Sequence, residues 1–304
     1  MCEDLFLATT IETKLKQERL LRIIEDELQD LPPLPAVVVR VMQTINDPTT
    51  SASDLNRLIS SDQAIASKVL RLVNSSYYGF PRRITTITHA VVILGFNTVR
   101  NLVTSLGVFN SFDGDGTPTA LDRNAFWAHS IGTAVAASVI AKRKAIPTKL
   151  AEEVFVGGLL HDIGKLFLDQ YFPDQYAISI KLARAAKISI WDSEKTALGV
   201  GHALVGKRIA EKWNLPPSLT SMVTLHHQPA FAKDHFEITA IVHAADRIAH
   251  KLKLGFAGDD LVPTLAPEVQ QWLALPPATW ESIEAETMQK FEDAKEFMKM
   301  ATGA

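Results

Sequence analysis

The stretch Gly157-Gly158-Leu159-Leu160-His161-Asp162-Ile163-Gly164-Lys165 limits what this chain can become more than any other. It sets a histidine, a carboxylate and a lysine inside an apolar, glycine-bearing segment with helical patterning. Buried polar groups without partners cost several kcal/mol, so a fold that buries this segment must bring partners to it. Those partners are either the hydrogen-bonding groups of an ordinary core or ligand-bearing side chains from elsewhere in the chain.

A chain of 304 residues, 47% hydrophobic and 21% charged, can build a real core in one large or two medium domains. With 31 Lys+Arg against 34 Asp+Glu, the net charge of −3 gives no global electrostatic reason to expect nucleic acid or an anionic membrane as partner. One cysteine, Cys2, excludes an intrachain disulfide and a thiolate metal cluster, which fits a reducing cytoplasm. The first residues lack the basic flank of a secretory signal. The most apolar runs, 90–96 and 131–141, fall short of the ~20 residues that span a bilayer. No membrane role is expected.

Helical periodicity dominates, and strand alternation is missing. Residues 14–30 carry a narrow apolar stripe that suits a helix packed on the domain or a connector. Leu31-Pro32-Pro33-Leu34-Pro35 stops and restarts the chain, and Val37, Val38, Val41, Met42 and Ile45 continue a helix that ends at Asn46-Asp47-Pro48. Ser53 and Asp62 are placed to cap the next two helices. Asn74–Arg83 is a turn-rich loop, read as a surface turn or as a contact for a partner or phosphate-bearing ligand. Helices over about 86–94 and 97–110 flank Gly95. Ser111–Leu121, rich in Gly, Asp, Thr and Pro, is the best internal boundary. Its Asp113-Gly114-Asp115-Gly116 fails as a calcium loop, because Pro118 and Asn124 stand where that loop needs glycine and a bidentate glutamate.

Longer helices follow. One covers about 122–144. The next starts at Thr148, has Glu152 and Glu153 in its first turns to complement the helix dipole, and carries His161-Asp162. Others cover about 174–187, a pair within 190–213 with His202 near their junction, a segment from Pro216-Pro217 to His226-His227, and 236–254. Two more lie in the tail. The predicted class is all-α, a two-part helical domain. Its division is a connector helix (1–30), a small helical subdomain (31–111), a larger helical bundle (122–257) and a helical extension (258–304).

The second half holds His129, His161, Asp162, His202, His226, His227 and Asp246, each on a helix or at a helix end among apolar neighbours. Imidazoles and carboxylates without thiolates suit first-row divalent metals rather than a structural zinc site. Seven N/O ligands exceed one tetrahedral ion and suit two metals sharing a carboxylate, the usual device for activating water and clamping a phosphoryl group. Lys165, four residues after His161, falls on the same helical face, where it can meet a phosphate oxygen or metal-bound anion. A metal-free polar core remains the alternative on spacing alone. His89, His235, His243 and His250 are assigned to ordinary hydrogen-bonded core positions.

The order H…HD…H…HH…D resembles the HD superfamily of metal-dependent phosphohydrolases, most closely its HD-GYP branch. Residues 31–254 as a whole resemble the HDOD domain, the HD-related output domain of bacterial signalling proteins. In the first half the likeness rests on Leu31-Pro32-Pro33-Leu34-Pro35, Ile59-Ser60-Ser61-Asp62, Val69-Leu70-Arg71-Leu72-Val73-Asn74-Ser75 and Ala90-Val91-Val92-Ile93-Leu94-Gly95. In the second it rests on Leu160–Lys165, Gly201-His202-Ala203-Leu204-Val205-Gly206, Trp213-Asn214-Leu215-Pro216 and His226-His227-Gln228-Pro229. The resemblance implies that His129, His161, Asp162 and Asp246 hold one metal and that Asp162, His202, His226 and His227 hold the other, with Asp162 bridging and iron or manganese as the metals. Gln228-Pro229-Ala230-Phe231 stands where HD-GYP proteins carry Gly-Tyr-Pro, so the resemblance leaves substrate recognition unassigned and puts cyclic-dinucleotide recognition in doubt. Ala125 and Ala249 stand where some relatives place carboxylates for a third metal.

Two functions follow as expectations. The first is a signalling module with a retained dinuclear site, whose partners are signalling proteins or a nucleotide or phosphate ligand. The second is an active phosphohydrolase on a nucleotide or cyclic dinucleotide, with Asp162 and Lys165 as its catalytic pair.

Overall fold

The computed structural model describes residues 18–20, 22–44, 50–112 and 119–302. Cys2, the helix end at Ile45–Pro48 and the 113–118 part of the expected linker lie outside them. Every regular element among the described residues is helical.

The first group comprises α1 (residues 22–30), α2 (Ala36–Thr44), α3 (Ala52–Ser60), α4 (Gln63–Val73), α5 (Ile87–Leu94) and α6 (Phe96–Ser111). Caps set their ends. Asp62 accepts from the Ile65 amide at 3.0 Å, as expected. The α3 cap is Ser51, not Ser53: the Ser51 hydroxyl accepts from the Asp54 amide, and the Asp54 carboxylate accepts from the Ser51 amide, a reciprocal capping box. Gly95 ends α5 with φ of 86°, a backbone conformation that favours glycine. Asn74 clips the following loop shut. Its side-chain amide donates to the carbonyls of Leu70 and Ile84 and accepts from the Ile84 amide, each at 2.7 Å.

The second group is built around α7 (Arg123–Arg143). It is packed by α8 (Thr148–Leu160), α14 (Phe236–Lys251) and α16 (Pro277–Thr302). α9 (Ile163–Tyr171) lies on α12 (His202–Lys212), which packs on α13 (Pro217–Leu225). α10 (Pro173–Ala186) pairs with α11 (Ile190–Ala197), and the short α15 (Pro267–Leu273) precedes the last helix. Small residues let these helices approach. A Cβ on Gly158 would fall 2.8 Å from the Ala134 Cα of α7, and one on Gly164 would fall 2.0 Å from the His202 carbonyl of α12.

The two groups share one continuous apolar core from Ile24 to Ala294. α6 packs on α8, and α16 reaches from α7 back to α4, with the Ser76 hydroxyl donating to the Asp293 carbonyl at 2.9 Å. The proline-rich restart is tied down as well: the Trp213 indole donates to the Pro32 carbonyl at 3.1 Å, and the Lys212 ammonium donates to the Leu28 and Gln29 carbonyls. No helix among the described residues is long and apolar enough to cross a membrane.

Candidate metal centre

The seven predicted residues converge. Six of them are buried and His227 is half-buried. His129 projects from α7 and Asp246 from α14, while the other five sit at helix ends. α8 stops at Leu160, so His161 is its C-cap and Asp162 precedes α9. This corrects the expectation of one helix running through the pair. Thr148 begins α8 rather than capping it, with Pro147 in the cap position. Glu152 and Glu153 face the first helical group instead of the helix dipole: Glu152 meets Thr98 at 3.0 Å, and Glu153 meets Arg100 at 4.0 Å.

The break in the helix has a chemical use. A C-terminal carbonyl left over by the helix is taken by the imidazole that follows it. His161 Nδ1 lies 2.7 Å from the Gly158 carbonyl, and His226 Nδ1 lies 2.9 Å from the Val223 carbonyl. A carbonyl only accepts, so each Nδ1 carries a proton and each Nε2 turns inward toward the other site residues. His202 is fixed by Glu194 on α11, whose Oε2 accepts from its Nδ1 at 2.6 Å and from its backbone amide at 2.7 Å. Glu194 also accepts from the Tyr176 hydroxyl at 3.1 Å. Metal-binding histidines usually have such partners on the distal nitrogen.

Two clusters result. The ligand atoms of Asp162, His202, His226 and His227 lie within 4.8 Å of one another, as do those of His129, His161 and Asp246. Asp162 joins them. Its Oδ1 is 3.2 Å from His202 Nε2 and 3.7 Å from His226 Nε2, while its Oδ2 is 3.2 Å from His161 Nε2 and 3.9 Å from His129 Nε2. Asp246 Oδ1 is 3.1 Å from His129 and 3.6 Å from His161.

The residues fit divalent cations on their own evidence. His202 Nε2 is 3.3 Å from His226 Nε2 and 2.9 Å from His227 Nε2, and the Nδ1 atoms of His202 and His226 are already taken by Glu194 and the Val223 carbonyl. Nitrogens this close need a proton or a cation between them. His161 Nε2 and Asp162 Oδ1 are buried without a hydrogen bond. A proton needs a directed acceptor, whereas a cation needs only converging donors.

Electrostatics agree. Burial pushes His129 down to about 4, against the pull of Asp246, and holds His226 and His227 well below the usual imidazole range. Asp162 and Asp246 stay well below the carboxylate range: burial pushes them up, but the surrounding imidazoles, and Lys165 for Asp162, outweigh it. Neutral imidazoles and ionised carboxylates are the forms that bind metal. His161 and His202 differ. Burial pushes both down, yet Asp162 and Asp246 bring His161 up to about 10, and Glu194 and Asp162 raise His202, so a metal at either must displace a proton.

Lys165 is buried and its ammonium donates to Asp162 Oδ2 at 2.7 Å, so it lies against the junction of the two clusters. Glu194, Trp191 and Lys195 were not legible as site residues. All three lie on α11: Trp191 stacks on His227 at 4.9 Å, and the Lys195 ammonium sits 2.9 Å above the Trp191 ring. Their only sequence signal is a polar helix shortly before His202. His250, assigned to the core, lies 3.4 Å from Asp246 Oδ1 and packs against His129 at 4.7 Å, so it borders the centre. His243 is a satisfied core residue, bonded to the His226 carbonyl at 2.7 Å and the Ala266 amide at 3.0 Å. His235 is half-buried and His89 is exposed on α5, so neither is a core residue.

The chain is similar to several known proteins. A protein from Shewanella amazonensis, provisionally named a phosphohydrolase, is 22% identical with a TM-score of 0.66, covering 91% of this chain and 96% of that one; at this identity it shows the fold alone. An uncharacterized protein of Treponema pallidum (strain Nichols) is 27% identical over 230 residues, which are 75% of this chain but 43% of the relative, so the chain spans less than half the length of that curated relative. An HDOD domain protein of unknown function from Geobacter sulfurreducens is 27% identical with a TM-score of 0.71, covering 95% of this chain and 97% of that one. The family model of the HDOD domain matches residues 31–229, and this chain belongs to the HDOD family.

Proposed function

We propose that this chain is an HDOD regulatory module that carries two divalent cations, iron or manganese. His129, His161, Asp162 and Asp246 hold one, and Asp162, His202, His226 and His227 hold the other, with Asp162 bridging. The observation behind this reading is the set of imidazole Nε2 atoms converging on His202, joined through Asp162 to a second His/Asp cluster. Oxygen and imidazole donors without sulfur suit such metals. A metal pair of this kind, when bound, activates water and orients phosphoryl oxygens.

A regulatory role is favoured over turnover because the centre is enclosed. Asp162 and Lys165 are buried, and the Lys165 ammonium is already spent on Asp162. The module's partners in this reading are signalling proteins or a phosphate-bearing ligand, in the cytoplasm. The second reading, a phosphohydrolase acting on a nucleotide or cyclic dinucleotide, draws on the half-buried edge at His227. There Asp162 would hold both metals and Lys165 would hold Asp162 and an anionic oxygen.

Metal analysis after anaerobic purification tests the first claim. The expected content is about two equivalents of iron or manganese per chain, with most of it lost in Asp162→Ala. Protein that never takes up metal would remove both readings. On metal-loaded protein, hydrolysis of linear or cyclic nucleotides that disappears in His161→Ala would favour the enzyme, and persistent absence of hydrolysis would favour the module.

A further inference from the structure

A second cavity, about 410 Å³, lies between the Tyr77–Tyr78 loop, α6, α7 and the first half of α8. It shares no residue with the metal cluster. Its volume falls within the range of small-molecule sites, roughly 300–1,000 Å³. The walls are mainly apolar and aromatic, with the exposed Lys142 as their one cationic member: the Tyr77 ring stands 5.1 Å from Tyr78 and 5.8 Å from Phe155.

One group in it is badly served. The Thr98 hydroxyl has a single proton and two acceptors in reach, the Leu94 carbonyl at 2.8 Å and Glu152 Oε1 at 3.0 Å. Glu152 Oε2 is buried and makes no hydrogen bond. Burial pushes the Glu152 carboxyl up, against the Thr98 hydroxyl, Arg100 and the Asn97 amide, which pull it down. Arg100 itself is paired with Glu153 at 4.0 Å. A carboxylate with one buried oxygen left without a hydrogen bond, beside aromatic faces in a roomy cavity, matches a ligand with N–H donors, positive charge and a flat apolar body.

We propose that this cavity binds a small organic cation, an amine or amidine on an aromatic or similarly apolar body, with its N–H groups on Glu152 and its body against Tyr77 and Phe155. The site joins the loop of the first helical group to α8, whose C-cap is His161.

The test uses the full chain and three probes of nearly one shape: benzamidine, neutral benzamide and anionic benzoate. Calorimetric titration is expected to give about tenfold tighter binding of benzamidine than of benzamide, the difference between a charge-assisted and a neutral hydrogen bond, and no binding of benzoate. Glu152→Gln, which keeps the Thr98 contact, is expected to bring benzamidine down to the benzamide level. Amide chemical-shift changes on adding benzamidine to the unaltered chain are expected at residues 77–78, 98–102 and 142–155, a readout that stands even if the variant folds poorly. Equal affinity for benzamidine and benzamide, no binding of benzamidine, undiminished binding in Glu152→Gln, or shifts centred on His129 and Asp246 instead would each overturn the proposal.

Discussion

Replacing Glu194 with glutamine separates the fold from the metal centre. Glu194 is fully buried and accepts three hydrogen bonds, from the His202 amide, His202 Nδ1 and the Tyr176 hydroxyl. In Glu194→Gln the amide oxygen can keep both His202 contacts on one side, and the NH2 group can donate to the Tyr176 oxygen on the other. Shape and hydrogen-bond count survive, but the negative charge behind His202 does not. Removing one partner of a buried charged contact costs stability, but His202 can release its extra proton to stay neutral beside the amide, so the melting temperature of the metal-free protein should fall by only a few degrees. The effect falls on the metal. An imidazole backed by a carboxylate is a stronger donor than one backed by an amide, and losing such a partner typically costs 10–100-fold in metal affinity, about 1.4–2.7 kcal/mol. Competition of Mn(II) between apo-protein and a chromophoric chelator measures this directly. Native-like affinity in a folded Glu194→Gln protein would refute the claim that Glu194 tunes a metal ligand. Early melting of the variant with unaltered metal affinity would instead mark Glu194 as a packing group.

Gly164→Ala should destabilise, since its Cβ would meet the His202 carbonyl at 2.0 Å and the Gly206 amide at 2.8 Å, both backbone; overpacking costs about 1–3 kcal/mol, read as a melting-temperature loss of about 5 °C, and unchanged melting would mean the helices part freely. Ser51→Ala should cost about 1 kcal/mol in a denaturant titration, whereas Ser53→Ala should cost far less, because Ser51 makes the cap. Metal-free protein should lose stability on both sides of about pH 6.5. His129, lowered to about 4, contributes stability that is full above 6.5 and is lost as pH falls towards 4, about 3 kcal/mol; His161, raised to about 10, contributes stability that is full below 6.5 and is lost as pH rises towards 10. Urea midpoints across pH check this, and a flat profile would contradict the buried environments. For the same reason metal uptake at pH 7–8 should release protons, seen as a dependence of the calorimetric heat on buffer ionisation enthalpy.

The helical class was legible because apolar periodicity and caps agree along most of the chain: Asp62, Thr86 and Asp122 each cap the helix that follows. Where two polar residues competed, local pattern was insufficient. Ser51 prevails over Ser53 because only Ser51 has an acidic residue three positions later to complete the box, and Thr148 yields to Pro147. The seven centre residues were legible as types, since imidazoles in apolar surroundings demand partners. Their grouping was suggested by a family likeness, not by spacing, because it depends on which helix ends meet. Glu194 could not be seen at all. A buried glutamate on a short polar helix has no periodic signature, and its role appears only when α11 is placed against the start of α12.

The helix break at His161-Asp162 ties these threads together. A continuous helix would point His161 and Lys165 along one face and leave Asp162 turned away from both. Ending α8 at Leu160 instead gives His161 the Gly158 carbonyl, which fixes its tautomer, and puts Asp162 at the start of α9 with the Lys165 ammonium folded back onto Oδ2. Gly164 lets α9 then lie directly on the backbone of His202. One carboxylate can therefore face α7 and α8 with one oxygen and α12 and α13 with the other. Asp162→Asn, which keeps the shape but weakens both faces, should consequently lower metal at both clusters together. Loss from one cluster alone, resolved as half the metal content with a single remaining spectroscopic site, would show that the two clusters are independent and that Asp162 does not bridge them.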